Sequence, residues 1–177
     1  MRVVAGEFRS RRLKSIPGAA TRPTPDRLRE ALFGILASRI PGATFLDAYA
    51  GTGAVGIEAL SRGAAHAYFL ERNRAALAVI RDNLASLKLE PRATVVAGPV
   101  LLTIARFRAD VIFLDPPYTL EREYTAVLEL LSQAPPSLTI AQHSVRLILG
   151  DSYGTLRRTR TVKQGDNALS FFSGNTD

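Results

Sequence analysis

The chain has 177 residues, 46% of them hydrophobic, and carries 23 basic against 16 acidic side chains, a formal charge of +7. A chain of that length buries roughly 70% of the surface its unfolded form exposes, enough for one domain with its own core. Cysteine is absent, which excludes disulfides, iron–sulfur clusters, thiolate zinc sites and cysteine nucleophiles, and His66 and His143 are too few for a multi-histidine metal centre.

The first segment is basic. Residues 1–39 hold nine Arg or Lys against three Asp or Glu, whereas residues 40–177 hold fourteen against thirteen. A basic arm on a near-neutral body suits a polyanion such as nucleic acid, and it equally suits a solvated surface. Met1-Arg2-Val3-Val4 is followed by charge at Glu7, Arg9, Arg11 and Arg12, so no signal-peptide apolar core forms, and no stretch approaches the ~20 apolar residues of a membrane span. The expectation is a cytoplasmic protein with no membrane partner.

Residues 1–16 alternate loosely around Val4, Gly6 and Phe8 and predict a short β-hairpin arm bearing Arg9, Arg11, Arg12 and Lys14. Pro17, Gly18, Pro23 and Pro25 mark a link, with Thr24 as N-cap and Pro25 as first residue of a helix over 25–39 carrying Leu28, Ala31, Leu32, Ile35 and Leu36 on one face. The arm is thus residues 1–24 and the main domain residues 25–177. Strand and helix then alternate. Strands are predicted at 44–49, 67–71, 94–97, 110–114 and 138–141. Helices fall at 54–61, on the Leu77, Ile80, Leu84, Leu87 stripe, at 101–107, and on Tyr124, Val127, Leu128 and Leu131. Such alternation predicts parallel β-α-β units with helices on both faces. Residues 155–163 and 168–172, joined by Gly165-Asp166-Asn167, predict a hairpin that adds antiparallel edge strands.

Two turns carry chemistry. The first strand ends Phe45-Leu46-Asp47-Ala48-Tyr49-Ala50-Gly51-Thr52-Gly53-Ala54-Val55-Gly56, where glycines permit a sharp turn and the next helix offers free N–H groups. Glu71, twenty residues after Gly51, ends the second strand and suits the two hydroxyls of a ribose. The glycine spacing alone also fits dinucleotide binders. Asp47 decides between them, because a carboxylate repels pyrophosphate and attracts a sulfonium cofactor with an amino-acid tail, so S-adenosylmethionine fits better than NAD. Ala50 and Thr52 of the turn are candidate contacts. So is Arg72, although with Arg74 it also suits a solvated helix start.

The second turn is Asp115-Pro116-Pro117-Tyr118, at the carboxyl end of the fourth strand. Pro117 forces Pro116 out of helical geometry, so the Pro116 carbonyl is held rigidly beside the Asp115 carboxylate. Two fixed acceptors suit the two hydrogens of an exocyclic amine. Asp115 then also accepts the proton lost on methyl transfer, and Tyr118 offers a face for stacking a flipped base. His143 is expected to cap a strand, and Arg157, Arg158, Arg160 and Lys163 to keep an exposed sheet edge from aggregating.

These residues resemble the RsmD-type 16S ribosomal RNA (guanine-N2)-methyltransferases. The resemblance runs through Arg2–Gly6 with Arg11-Arg12-Leu13, Arg22-Pro23-Thr24-Pro25 into Phe33, Leu46–Leu60, Asp115–Tyr118 and Gly165–Leu169. It implies a Rossmann-like class I methyltransferase with a mainly parallel seven-stranded sheet, an antiparallel C-terminal hairpin and an amino-terminal arm. It further implies methyl transfer from S-adenosylmethionine to the N2 amino group of a guanine in 16S ribosomal RNA, by a monomer, on RNA or an assembling small subunit. Asp47, Gly51, Gly53, Glu71 and the backbone of Gly98 and Pro99 would hold the cofactor, with Thr24 and Arg29 near cofactor or base. Asp115, Pro116 and Tyr118 would hold the guanine. Arg2, Arg9, Arg11, Arg12, Lys14, Arg22 and Arg27 would grip RNA. The chain departs from the family at Ala97-Gly98-Pro99, at Gln142-His143 where a glutamate is common, and in its short arm. Adenine-N6 or protein glutamine-N5 methylation, NAD-dependent oxidoreduction and non-catalytic RNA binding are the alternatives.

Overall fold

The computed structural model describes residues 1–18 and 24–174, so Arg22 and Pro23 lie outside the described residues. The strands are β1 (Thr44–Ala48), β2 (His66–Glu71), β3 (Ala93–Ala97), β4 (Val111–Leu114), β5 (Leu138–Ser144), β6 (Ser152–Tyr153), β7 (Leu156–Gln164) and β8 (Asn167–Gly174). The helices are α1 (Asp26–Ile35), α2 (Ala54–Ser61), α3 (Arg74–Ser86), α4 (Val100–Thr103) and α5 (Glu121–Ser132). All eight strands form one sheet in the order β3-β2-β1-β4-β5-β8-β7-β6. β1 to β5 are parallel, and β8, β7 and β6 close the sheet antiparallel. The order reverses between β1 and β4, and the crevice at such a switch point is where open α/β sheets bind ligands.

Period-two alternation divides the core. Phe45, Phe69, Phe113, Ile140, Leu169 and Phe171 pack on one face beneath α1, α2 and α3. Leu46, Leu70, Ile112, Leu114, Ala141 and Phe172 pack on the other beneath α4 and α5. Each of these phenylalanines is essentially fully buried, worth about 1.5–3 kcal/mol per side chain relative to exposure. Both faces are therefore committed to helices, as the alternating strand–helix pattern predicted.

Three expectations change, while the tail forms the expected antiparallel hairpin at the sheet edge, with β8 between β5 and β7 and paired to β5 from Thr139 to Ser144. That pairing extends β5 past Ala141 to Ser144, so His143 is a buried residue within the strand instead of a cap. Its imidazole bridges the Ser144 carbonyl and the Ser170 hydroxyl, each at 2.8 Å, and burial lowers its pKa. The two-residue β6 raises the expected seven strands to eight among the described residues. α1 spans Asp26–Ile35 instead of 25–39, with extended Pro25 at the cap position and no side-chain cap from Thr24, and the chain beyond Leu36 turns toward buried Ile40.

The arm is a looped hairpin held by one bridge, Arg2 to Arg12, rather than by a strand pair. Val3 and Leu13 are buried in the core of the domain. The Val4 and Ala5 N–H groups donate to Glu58 on α2 at 2.8 and 2.9 Å, and Lys14 N–H donates to Asn83 on α3 at 2.7 Å.

Candidate active site

A cleft of about 790 Å³ opens at the carboxyl ends of β1, β2, β4 and β5. The glycine turn, the Asp115–Tyr118 turn, Gly98 and Pro99 after β3, Asn167 at the start of β8, and Met1 and Ile16 of the arm all line it. The two turns that sequence singled out therefore face one space.

Strand parity sets its acid floor. Asp47 lies two positions beyond Phe45, Asp115 two beyond Phe113, Gln142 two beyond Ile140, and Asn167 two before Leu169. All four are thus on the face of α1, α2 and α3, above the core. Asp47 is buried, and its Oδ2 accepts the Gly56 N–H of α2 at 2.9 Å. Burial raises its pKa well above the ordinary carboxylate range. The Gly56 hydrogen bond opposes that rise, and Asp115 and Glu71 add to it by repulsion. Asp115 is pushed up to about 7 by burial and forms no ion pair among the described residues.

The rest of the turn is a backbone scaffold. Gly51 and Gly53 adopt φ of +58° and +81°, a region that L side chains avoid. Gly51 N–H donates to Glu71 Oε2 at 2.9 Å, while Glu71 Oε1 accepts from the Arg72 and Asn73 N–H groups at 2.8 Å each. Each oxygen keeps acceptor capacity toward the cleft. Three carboxylates converge here, and the hydrogen bonds that Asp47 and Glu71 accept come from backbone N–H groups. Such a donor set suits a cationic ligand carrying a diol, and it disfavours a pyrophosphate.

Ala50, Gly51, Thr52, Glu71, Arg72, Gly98, Pro99, Thr24, Asp115, Pro116, Pro117 and Tyr118 all line the cleft. Gly53 does not. It is buried behind the turn as the residue before α2, against Phe69 and Ile80. Arg29 corrects an expectation outright: its side chain is wholly buried away from the cleft, donating to the Arg2 carbonyl at 3.0 Å and Asp26 at 2.7 Å. Arg2, Arg9, Arg11, Arg12, Lys14 and Arg27 are exposed. Three of them have intramolecular partners: Arg2 faces Asp26 at 3.7 Å, Lys14 donates to Asp82 at 2.8 Å, and Arg11 donates to the Ser86 carbonyl at 3.4 Å.

Sequence reasoning missed Tyr49 and Glu123. Tyr49 has φ of +62° at the exit of β1, and its hydroxyl donates to the Glu123 carboxylate on the first turn of α5. Burial and that acceptor raise the phenol pKa. Glu123 alone reads as an acid favoured by a helix N-terminus, so nothing local betrayed the pair. Tyr118 is 54% exposed at the mouth, its hydroxyl 3.5 Å from Asn167 Oδ1.

The chain matches, over residues 1–173, a family described as Conserved hypothetical protein 95. It is 34% identical over 183 residues to "Putative rRNA methyltransferase YlbH" of Bacillus subtilis, covering 97% of this chain and 98% of that one. It is 41% identical over 120 residues to "Ribosomal RNA small subunit methyltransferase D" of Escherichia coli, covering 67% of this chain and 60% of the relative. The solved structure "Putative methyltransferase yhhF from Escherichia coli" superposes with a TM-score of 0.88 at 31% identity, over 100% of this chain and 99% of the other.

Proposed function

This chain belongs to the RsmD family of methyltransferases, and on that premise we propose that it transfers a methyl group from S-adenosylmethionine to the N2 amino group of a guanine in 16S ribosomal RNA. The observation that carries the reading is Asp115: an unpaired, part-desolvated carboxylate on a proline-stiffened turn, sharing a cleft with Asp47, Glu71 and the glycine turn.

When bound, S-adenosylmethionine supplies an electrophilic methyl on a positively charged sulfur. Glu71 accepts hydrogen bonds from its ribose, Asp47 provides negative charge for its cationic end, and the backbone around Ala50–Thr52 and Gly98-Pro99 shapes the pocket. A positive charge in this cleft also favours the ionised forms of Asp47 and Asp115.

On the substrate side, the guanine must be unpaired or flipped out, because a stacked base hides its amine. That amine is planar and weakly nucleophilic, its lone pair being delocalised into the ring. Asp115 and the Pro116 carbonyl each take one N–H, pyramidalising the nitrogen so that its lone pair leaves conjugation with the ring, and Pro117 fixes the geometry. Methyl transfer from the bound cofactor would leave the carbon–sulfur electron pair on sulfur, and Asp115 would take the proton that the nitrogen gives up. Orientation of this kind supplies up to ~7–11 kcal/mol in favourable cases. Tyr118 stacks on the base. Residues 1–24 act as the RNA-gripping arm and residues 25–177 as the catalytic domain, with Arg9, Arg12 and Arg27 free for phosphate and Arg2, Arg11, Lys14 and Arg22 assisting.

The site is proposed to work as a cytoplasmic monomer on RNA or an assembling small subunit. Few large apolar side chains stand exposed among the described residues, and no described helix is long and apolar enough to cross a membrane. The test is methyl transfer from labelled S-adenosylmethionine to small-subunit RNA from cells lacking this protein, with the product nucleoside identified by mass spectrometry. N2-methylguanosine with wild type and none with Asp115→Ala is expected. N6-methyladenosine, methylated protein, or RNA binding without transfer would each replace the proposal with a rival.

A further inference from the structure

We infer that Gln142 reads the target base, its side-chain amide pairing with the ring N1–H and O6 of guanine while the neighbouring amine is held at Asp115. The inference rests on the proposed guanine chemistry and adds to it the residue that selects guanine.

The placement follows from register. Leu114 pairs with Ala141 across the parallel β4–β5 ladder, so the next residues, Asp115 and Gln142, stand side by side at the carboxyl ends of adjacent strands. Both share the face of Phe113 and Ile140, and both line the cleft. The Gln142 backbone is pinned from behind, because the Tyr124 hydroxyl of α5 donates to its carbonyl at 2.5 Å. The side chain is therefore presented from a fixed strand and not from a loop.

The side chain is also unspent. Gln142 is only 6% exposed, yet its Oε1 accepts no hydrogen bond from the described residues. Buried polar atoms are normally partnered, and one that is not carries a standing cost until a donor arrives. The cleft beside it is where a ligand would bring that donor.

Guanine has the matching edge. Next to its N2 amine is N1, which carries a hydrogen, and beyond that O6, an acceptor. With the amine at Asp115, N1–H meets the amide oxygen and O6 meets the amide NH2. Adenine oriented with its N6 amine at Asp115 instead presents a bare N1 lone pair to that oxygen, and then a C2–H. A site built to bond an N–H rejects analogues lacking it far more strongly than a merely apolar pocket does. Asn167 and Tyr118 close the other side of the same corner.

The experiment measures inhibition of methyl transfer to small-subunit RNA by two mononucleotides, guanosine monophosphate and 2-aminopurine riboside monophosphate. Both carry the amine at position 2, and only the first carries N1–H and O6. Wild type should prefer guanosine monophosphate at least tenfold. Gln142→Leu should collapse that ratio toward one and lower kcat/KM for RNA by 10- to 100-fold, with S-adenosylmethionine affinity within twofold of wild type. Gln142→Glu keeps an acceptor for N1–H but sets a second acceptor against O6, so its preference should fall between those of wild type and Gln142→Leu, which separates base reading from a packing defect. An equal response to both nucleotides in wild type, or an unchanged ratio in Gln142→Leu, overturns the inference while leaving guanine methylation standing. A wild-type product other than N2-methylguanosine overturns both.

Discussion

Arg29 on α1 and Glu58 on α2 face each other at 3.8 Å with both side chains wholly buried. Glu58 is the anionic hub of this region: it also accepts from the Val4 and Ala5 N–H groups and from Arg62 Nε, the last at 2.9 Å. Among the described residues Arg29 has no second anion so deep, since Asp26 is half exposed, and its Nε and Nη1 make no hydrogen bond there. The pair therefore ties the arm and α1 to α2, and it is asymmetric in what each partner tolerates.

Removing Glu58 strands a buried guanidinium and frees the arm. Loss of one partner of a buried pair typically costs ~3–5 kcal/mol, so Glu58→Ala should lower the urea midpoint accordingly and expose residues 4–5 to protease. Glu58→Ala combined with Arg29→Met should recover part of the loss, because the stranded charge is gone. A Glu58→Ala midpoint unchanged from wild type would show that Glu58 does not anchor the arm and that Val3, Leu13 and the Lys14–Asn83 bond hold it.

Asp115 makes activity and stability run in opposite directions with pH. Its folded value of about 7 lies above the ordinary carboxylate value of 3.8, so it ionises only as pH rises through neutrality. The proton-accepting form is the ionised one, so kcat/KM should climb between about pH 6 and 8 and then level off. Asp115→Asn should remove that pH dependence and lower the rate by ~10²–10⁴, the usual worth of a positioned base. For folding the sign is reversed: a raised value contributes stability below the unfolded pKa and loses it as pH rises through the folded one. Thermal unfolding of Asp115→Asn should therefore be higher than wild type at pH 8, with the advantage fading toward pH 4. A flat wild-type pH profile would argue against Asp115 as base.

Much of this site is legible in the sequence, because local signals carry it. A glycine turn after an apolar run and a double proline after another fix backbone geometry within a few residues. The strand–helix alternation then forces both to the same sheet edge. What escapes depends on pairing at long range. β5 continues to Ser144 only because β8 inserts beside it, and that insertion converts His143 from a cap to a core residue and places Gln142 on the cleft floor. Tyr49 and Glu123 meet across 74 positions of sequence. Arg29 is a different failure, since the signal is present. It lies three, four and seven positions before Leu32, Phe33 and Leu36, on the apolar stripe of α1, where a charged residue must be buried and paired.

The Tyr49 hydroxyl links the glycine turn to the first turn of α5, just beyond the Asp115–Tyr118 segment. Tyr49→Phe keeps the ring and deletes that tie. A hydrogen bond to a charged group is worth ~1.5–3 kcal/mol, part of which would appear as weaker ligand binding because both residues line the cleft. Calorimetry should show S-adenosylmethionine affinity reduced by about five- to tenfold, with Glu123→Gln giving a smaller loss because its amide oxygen still accepts. Equal affinity in Tyr49→Phe and wild type would confine the bond to fold stability.

The arm's cations divide by what already holds them. Lys14 is tied to Asp82 at 2.8 Å and Arg2 faces Asp26 at 3.7 Å, whereas Arg9 and Arg12 are exposed and form no ion pair among the described residues. A cation already paired must give up its partner to take a phosphate, so the unpaired arginines should dominate RNA binding. Each phosphate of single-stranded RNA that is no longer neutralised flattens the plot of log affinity against log salt by ~0.7. Arg9→Ala and Arg12→Ala should each show that change and raise KM for RNA without altering kcat, while Lys14→Ala should move the slope less. If Lys14→Ala equals or exceeds the two arginine variants, the RNA path runs along α3 beside Asp82 and not over the loop of the arm.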